Sequence, residues 1–431
     1  MKRFLLFTSI CLTIFQSGCD LVTNFKTTTT TTNVRTPSTS PPTEMSLPAI
    51  AIPEPTPIAK DAIELIEKIG GKYELSTTGD LKSLSISGDK IAVEMFDTFA
   101  KQIELTTLKI TNFPNFNDDT LQKLTGLKKI TNLTITHSAI TDVSVETIVK
   151  SFPLISVLDL SRNFSLTDKS IAEISKLSEL ETLILVYCSF SDSQLSTLAT
   201  LPKLRALDIR GNMSISNKGL ESVAGIPKLR SLKHLSPAID DGGVKALAAA
   251  KNLETLDVQD FTISDLAGEV LKNFPKLSSL IIYRCTNFGS NGLLSLQGKP
   301  LKRLTLRDLP AIDDDGLIAF RELSTLKRLY LQELDSVSDG GLRNLIYLKE
   351  LETLEIRNMT LITDKTVESI SRLSNLKSIS ISGTQITDKS IELLLSLQKL
   401  KELTLKNNSL ITDDAKKKLK DSKKFAILNL E

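Results

Sequence analysis

From about Lys82 to its last residue the chain repeats itself every 24 or 25 residues. The segments ETLILVYCSFSDSQLSTLATLPKL from Glu181, RALDIRGNMSISNKGLESVAGIPKL from Arg205, ETLEIRNMTLITDKTVESISRLSNL from Glu352 and KSISISGTQITDKSIELLLSLQKL from Lys377 are versions of one unit. A fixed period of this length constrains the fold more than any other feature. No single unit can bury its own apolar face, so neighbours must stack and share one elongated core. Units begin near Lys82, Thr106, Thr131, Ser156, Glu181, Arg205, Arg230, Glu254, Ser278, Lys302, Lys327, Glu352, Lys377 and Lys401, and Ala426–Leu430 supplies one further half-unit.

Each unit has the same internal order. In the unit from Glu181, Leu183 and Leu185 alternate with Thr182, Ile184 and Val186, a period of two that predicts a short strand. Ser191 and Asp192 then form a helix-start pair, followed by Leu195, Leu198 and Leu201 at helical spacing. Odd strand positions point inward, so positions two, four and six face outward. Cys188 and Cys285 occupy the eighth position, where Asn163, Asn212 and Asn408 stand in other units. The two cysteines are four units apart, ~19 Å along a stack of strands, beyond the ~7 Å that a disulfide tolerates. Buried structural thiols are the plain reading, with reactive or metal-binding thiols as the alternative.

This pattern resembles the leucine-rich repeat family over roughly residues 82–431, and cysteine at the eighth position extends the likeness to the cysteine-containing subfamily. The expected fold is an α/β solenoid: a horseshoe of about fourteen units with a concave parallel sheet and helices on the convex side. Fourteen strands give an inner arc of ~65–70 Å. In the family, the eighth position holds an inward Asn or Cys that serves turn backbone. The subfamily likeness also brings in ubiquitin-ligase-type substrate receptors, a remote alternative that the N-terminal segment contradicts.

That segment reads as an export signal. Met1-Lys2-Arg3 is basic and Phe4–Phe15 is apolar, too short to span ~30 Å of hydrocarbon. Ser17-Gly18-Cys19 resembles the bacterial lipoprotein box, although Gln16 stands where that family prefers Leu. The implied organisation is a signal peptide over 1–18, lipidation at Cys19, a Thr- and Pro-rich tether over 19–59, an N-terminal cap over 60–81 and the repeat domain over 82–431. The expected location is a bacterial cell envelope, with the protein held to a membrane as a lipoprotein; export with a different cleavage is the alternative. Gly70-Gly71 is expected to stop a cap helix carrying Ile63, Leu65, Ile66 and Ile69, and Tyr73–Ser76 to form an edge strand.

Chemistry has little to build on. The chain holds two histidines, His137 and His234, in separate units, and His234 takes an inward strand position that predicts a satisfied core residue. No phosphate loop, dinucleotide fingerprint, HExxH or paired CxxC is present. The reading is therefore not an enzyme, with no cofactor and no metal, and a net charge of +2 without tryptophan argues for no nucleic acid partner. The recurring Ile-Thr-Asp, as at Ile362-Thr363-Asp364, reads as helix capping, and only Asp313–Asp315 is dense enough to leave a calcium site open. The six lysines from Lys416 to Lys424 suggest a solvated capping helix, or a structural, adhesive surface that touches anionic polymers.

What remains is a recognition face. Early units present small polar groups outward, such as Ser85, Thr107 and Thr136. Later units present Tyr283, Arg303, Arg307, Arg328, Tyr330, Gln332, Glu355 and Arg357. Arg and Tyr dominate binding energy at interfaces, so this set is the candidate site for a protein or glycan partner, with ordinary solvated side chains as the alternative.

Overall fold

The computed structural model describes residues 53–88 and 90–431. The signal peptide, the lipidation position Cys19 and most of the tether therefore lie outside the described residues. Sixteen strands form one sheet in strict sequence order. They are β1 (Lys72–Leu75), β2 (Leu81–Ser87), β3 (Thr107–Thr111), β4 (Asn132–Thr136), β5 (Val157–Asp159), β6 (Thr182–Ile184), β7 (Ala206–Asp208) and β8 (Ser231–His234). The remainder are β9 (Thr255–Val258), β10 (Ser279–Tyr283), β11 (Arg303–Arg307), β12 (Arg328–Gln332), β13 (Thr353–Arg357), β14 (Ser378–Ser382), β15 (Glu402–Lys406) and β16 (Ile427–Leu430). From β2 onward every pairing is parallel, and only β1 lies antiparallel, against β2. A parallel pair needs a crossover, and each unit supplies it with a helical segment on the opposite side. The fold is a leucine-rich-repeat α/β solenoid.

The interior is one continuous apolar column. Positions three and five of each unit, such as Leu280 and Ile282 or Leu354 and Ile356, are almost fully buried. At the N-terminal end Phe96 contacts Phe99, Phe113 and Phe116 with ring centroids 5.1–6.1 Å apart. This end is closed by helix α1 (Pro57–Lys68), which buries Ala59, Ala62, Ile63 and Ile66. Helix α1 begins inside the segment expected to be tether. Thr56 caps it, proline occupies its first turn, and the Thr56 amide donates to the Gly79 carbonyl at 2.9 Å. Thr-Pro there is a cap followed by a residue preset for the first helical turn, not extended linker. Gly70, with φ +72°, ends the segment.

Not every crossover is an α-helix. Leu195–Thr200 and Gly316–Arg321 are 3₁₀ segments. The apolar spacing Leu195, Leu198, Leu201 is strictly every third residue, which matches three residues per turn better than 3.6.

Two hydrogen-bond ladders tie the units together. The first explains the eighth position. Asn212, fully buried, accepts from the amides of Cys188 and Phe190 at 3.1 and 3.0 Å and donates to the carbonyls of Leu185 and Ile209 at 2.7 and 2.9 Å. Asn163 and Asn408 repeat the arrangement. The second ladder corrects the capping expectation. Thr141, Thr167, Ser216 and Thr363 do cap their own helices. The residue that follows, aspartate in most units and Asn217 after Ser216, instead reaches into the next unit and accepts from that unit's capping residue. Asp118 takes the Thr141 amide and hydroxyl at 2.9 and 2.6 Å, and Asp142, Asp168, Asp192, Asp241, Asp314, Asp339, Asp364 and Asp388 do the same for their successors.

Candidate functional site

The site begins with a turn. The seventh residue of almost every unit has a left-handed backbone, with φ between 52° and 62° at Asn112, His137, Arg162, Tyr187, Arg284, Asp308, Glu333, Asn358 and Asn407, and with Gly88, Gly211 and Gly383 in the same slot. That residue swings the chain off the strand and sends the eighth residue inward. In the units from Arg230 and Glu254 the turn is one residue shorter. Asp260 there takes the asparagine role and accepts the Ser236 amide at 2.5 Å.

The eight outward residues expected from the sequence do share one face, across β10 to β13. Strand register sets Tyr283, Arg307, Gln332 and Arg357 in one row, Thr305, Tyr330 and Glu355 in a second, and Arg303 beside Arg328 in a third. Arg328 and Arg357 are exposed and the others half-buried. Tyr283 lies between two guanidiniums, Arg284 at 4.7 Å and Arg307 at 4.5 Å from its ring centroid. Burial pushes its phenol above the ordinary range, against the pull of Arg307 and Arg284. Arg303 stacks on Tyr330 at 4.9 Å, and Gln332 donates to Glu355 at 2.5 Å.

Three members of the cluster escaped the sequence reading. Arg284 pairs with Asp308, and Arg307 with Glu333, each at 3.2 Å. Arg284, Asp308 and Glu333 sit at the seventh position, which strand alternation assigns to the interior. Their left-handed backbone turns them to the rim instead. The signal was present in the sequence as the recurrence of Asn and Gly at that slot, the residues that adopt this conformation most cheaply.

The middle of the concave face carries a second charged group, outside the expected set. Arg210 holds Asp208 through two hydrogen bonds of 2.9 and 2.8 Å, Lys233 stands 3.9 Å from the same carboxylate, and Asp257 lies 3.8 Å from Arg210. Burial raises the carboxyls of Asp159 and Asp257 above the usual range; Arg210 and Lys233 oppose this at Asp257 but do not outweigh it.

The remaining sequence candidates are used within the fold. Burial pushes Cys188 and Cys285 up to about 12, and their thiols rest on the carbonyls of Leu160 and Val258. His234 is fully buried, but it is not the satisfied core residue expected. Its Nδ1 lies 2.6 Å from Asp260 Oδ2 without in-line hydrogen-bond geometry, and Nε2 has no partner. Asp313 and Asp314 diverge, the first accepting the Ser290 hydroxyl and the second that of Ser338. Among the described residues no three His, Cys, Asp or Glu side chains gather as metal ligands. In the basic C-terminal segment, Lys424 satisfies the carbonyls of Leu395 and Leu397, each at 2.6 Å, and Lys418 pairs with Glu392, so part of that charge serves the stack itself.

A family model described as Leucine Rich repeat matches residues 200–224. Among solved structures, the chain is similar to an internalin, InlF, from Listeria monocytogenes, with 23% identity, 81% of this chain and 97% of that chain covered, and a TM-score of 0.47. It is also similar to a chain of the yeast Rad7–Elc1 complex, with 16% identity, 83% and 90% covered, and a TM-score of 0.54. No curated protein matches the chain.

Proposed function

We propose that this chain is a non-catalytic interaction module that binds a protein partner on the concave face between β10 and β13, and that a lipid on Cys19 holds it at a bacterial cell envelope. One observation carries the first part. Large arginine and tyrosine side chains gather on that stretch of a sheet whose early strands present small polar groups, and their stacking pre-orders them before any partner arrives. Pre-ordered aromatic and guanidinium groups lose little rotamer entropy on binding, which is how interface hot spots gain affinity. The likeness in fold to a chain of the Rad7–Elc1 complex, itself solved with a bound protein, supports an interaction role for the same architecture. The Ser17-Gly18-Cys19 box after an apolar run supports the anchor; among the described residues no helix is long and apolar enough to cross a membrane.

The test is affinity capture of envelope proteins on the full chain, compared with a variant carrying Arg303→Ala, Arg307→Ala, Arg328→Ala and Arg357→Ala. Loss of a specific partner is expected, and an unchanged capture profile removes the concave-face reading. Mass spectrometry of the mature N-terminus addresses the anchor separately: a diacylglyceryl mass on Cys19 is expected, and an unmodified or different first residue rejects it.

A further inference from the structure

Arginines on the concave face fall into two groups. Arg210, Arg284 and Arg307 each have a carboxylate of this chain within 3.2 Å, from Asp208, Asp308 and Glu333. Arg303, Arg328 and Arg357 have none within ion-pairing distance among the described residues. Arg303 and Arg328 are direct neighbours on β11 and β12, so two cationic side chains leave backbones ~4.8 Å apart. Arg303 Nε is enclosed and has no acceptor, and on the same strand Thr305 Oγ1 is enclosed and has no partner. Two adjacent uncompensated guanidiniums repel one another, and an enclosed donor without an acceptor is costly. A carboxylate seated on the accessible terminal nitrogens of this pair relieves the repulsion, because the guanidinium fork matches its two oxygens.

Arg357, a single exposed guanidinium, is the other arginine of this stretch without a carboxylate. It lies four positions further along the strands than Arg328 and one strand over, ~14 Å away at ~3.3 Å per residue and ~4.8 Å per strand. An extended peptide covers ~13 Å between residues i and i+4 and points both side chains to one face. Between the two points lie Tyr330, Gln332 and the acidic Glu355, with Glu333 at the rim. A uniformly charged polymer meets repulsion from Glu355 and Glu333, whereas separated acids with neutral residues between them do not. We infer that the partner is a protein segment that lies in extended form nearly along the strands, over β12 and β13, its acidic side chains at i and i+4 seated on Arg303/Arg328 and on Arg357. This inference rests on the concave-face reading and specifies its partner.

The probe is a random dodecapeptide library displayed on phage and selected against the full chain, with recovered peptides synthesised and titrated. Acidic residues spaced i, i+4 are expected. Arg303→Gln/Arg328→Gln and Arg357→Gln are each expected to weaken binding at least tenfold while the circular dichroism and melting temperature stay unchanged, and Gln at either peptide acid is expected to do the same. An empty selection, recovered peptides without paired acids, or retention on heparin in preference to peptides overturns the inference. Peptides lost on Tyr283→Ala but indifferent to Arg303→Gln/Arg328→Gln overturn it while leaving the concave face as the binding surface. Binding indifferent to every substitution on β10–β13 removes both.

Discussion

Replacing Asn212 by alanine tests the physical account of the whole stack. The Asn212 carboxamide makes four hydrogen bonds between 2.7 and 3.1 Å, two accepted from the amides of Cys188 and Phe190 and two donated to the carbonyls of Leu185 and Ile209. All lie in a site that solvent does not reach, since Asn212 is 0% exposed. Each bond is worth about 1 kcal/mol net, and a buried donor left without an acceptor costs 1–3 kcal/mol. The four bonds alone give about 4 kcal/mol for Asn212→Ala, a lower figure to which the orphaned amides and the small cavity add. Because a solenoid unit touches only its neighbours, the loss is expected as local opening around β6–β8 rather than as uniform destabilisation. Native-state hydrogen exchange reads this directly: at ~1.4 kcal/mol per decade, the Cys188 and Phe190 amides should exchange about a thousandfold faster. Asn212→Cys should fall between wild type and alanine, because Cys188 and Cys285 already occupy this slot with weaker thiol contacts. If the two amides exchange less than about tenfold faster in Asn212→Ala, the ladder does not hold the units together and the reasoning fails.

Three further outcomes follow from the same geometry. Burial alone raises the carboxyls of Asp118, Asp142 and Asp364, but hydroxyl and amide donors from the next unit outweigh it and leave all three below the ordinary value. Their stabilisation is therefore present above the unfolded value of ~3.9 and lost as pH falls below it. Urea midpoints should drop as pH falls from about 4 to about 2, and less steeply in the Asp118→Asn/Asp142→Asn/Asp364→Asn variant. Cys188 and Cys285, held near 12 by burial, should resist thiol reagents at pH 8 until the chain is unfolded, as mapped by mass spectrometry; rapid native labelling contradicts the burial argument. Gly211→Ala should destabilise by about 2 kcal/mol or more, because φ is +78° and a new Cβ would lie 2.0 Å from the Tyr187 ring. Adding Tyr187→Ala should recover part of that loss, and a strictly additive double-mutant cycle refutes the contact.

Periodicity alone determined the architecture: a strand-plus-crossover unit repeated at 24 or 25 residues has one way to bury its leucines, and β2–β16 stack in chain order as that pattern requires. The outward positions were equally legible, since strand alternation is a local property; Tyr283, Arg303, Arg307, Arg328, Tyr330, Gln332, Glu355 and Arg357 all reach the concave side. Three things depended on tertiary structure. Whether an aspartate caps its own helix or clasps the next unit is a choice between partners equally near in composition, and only the stacking distance decides it. Arg284, Asp308 and Glu333 belong to the site because a left-handed turn overrides alternation at the seventh residue. That Arg284 and Arg307 are already neutralised depends on Asp308 and Glu333, 24 and 26 residues away in the chain. A one-dimensional pattern specifies which way a side chain points. Three-dimensional contact specifies what it meets there.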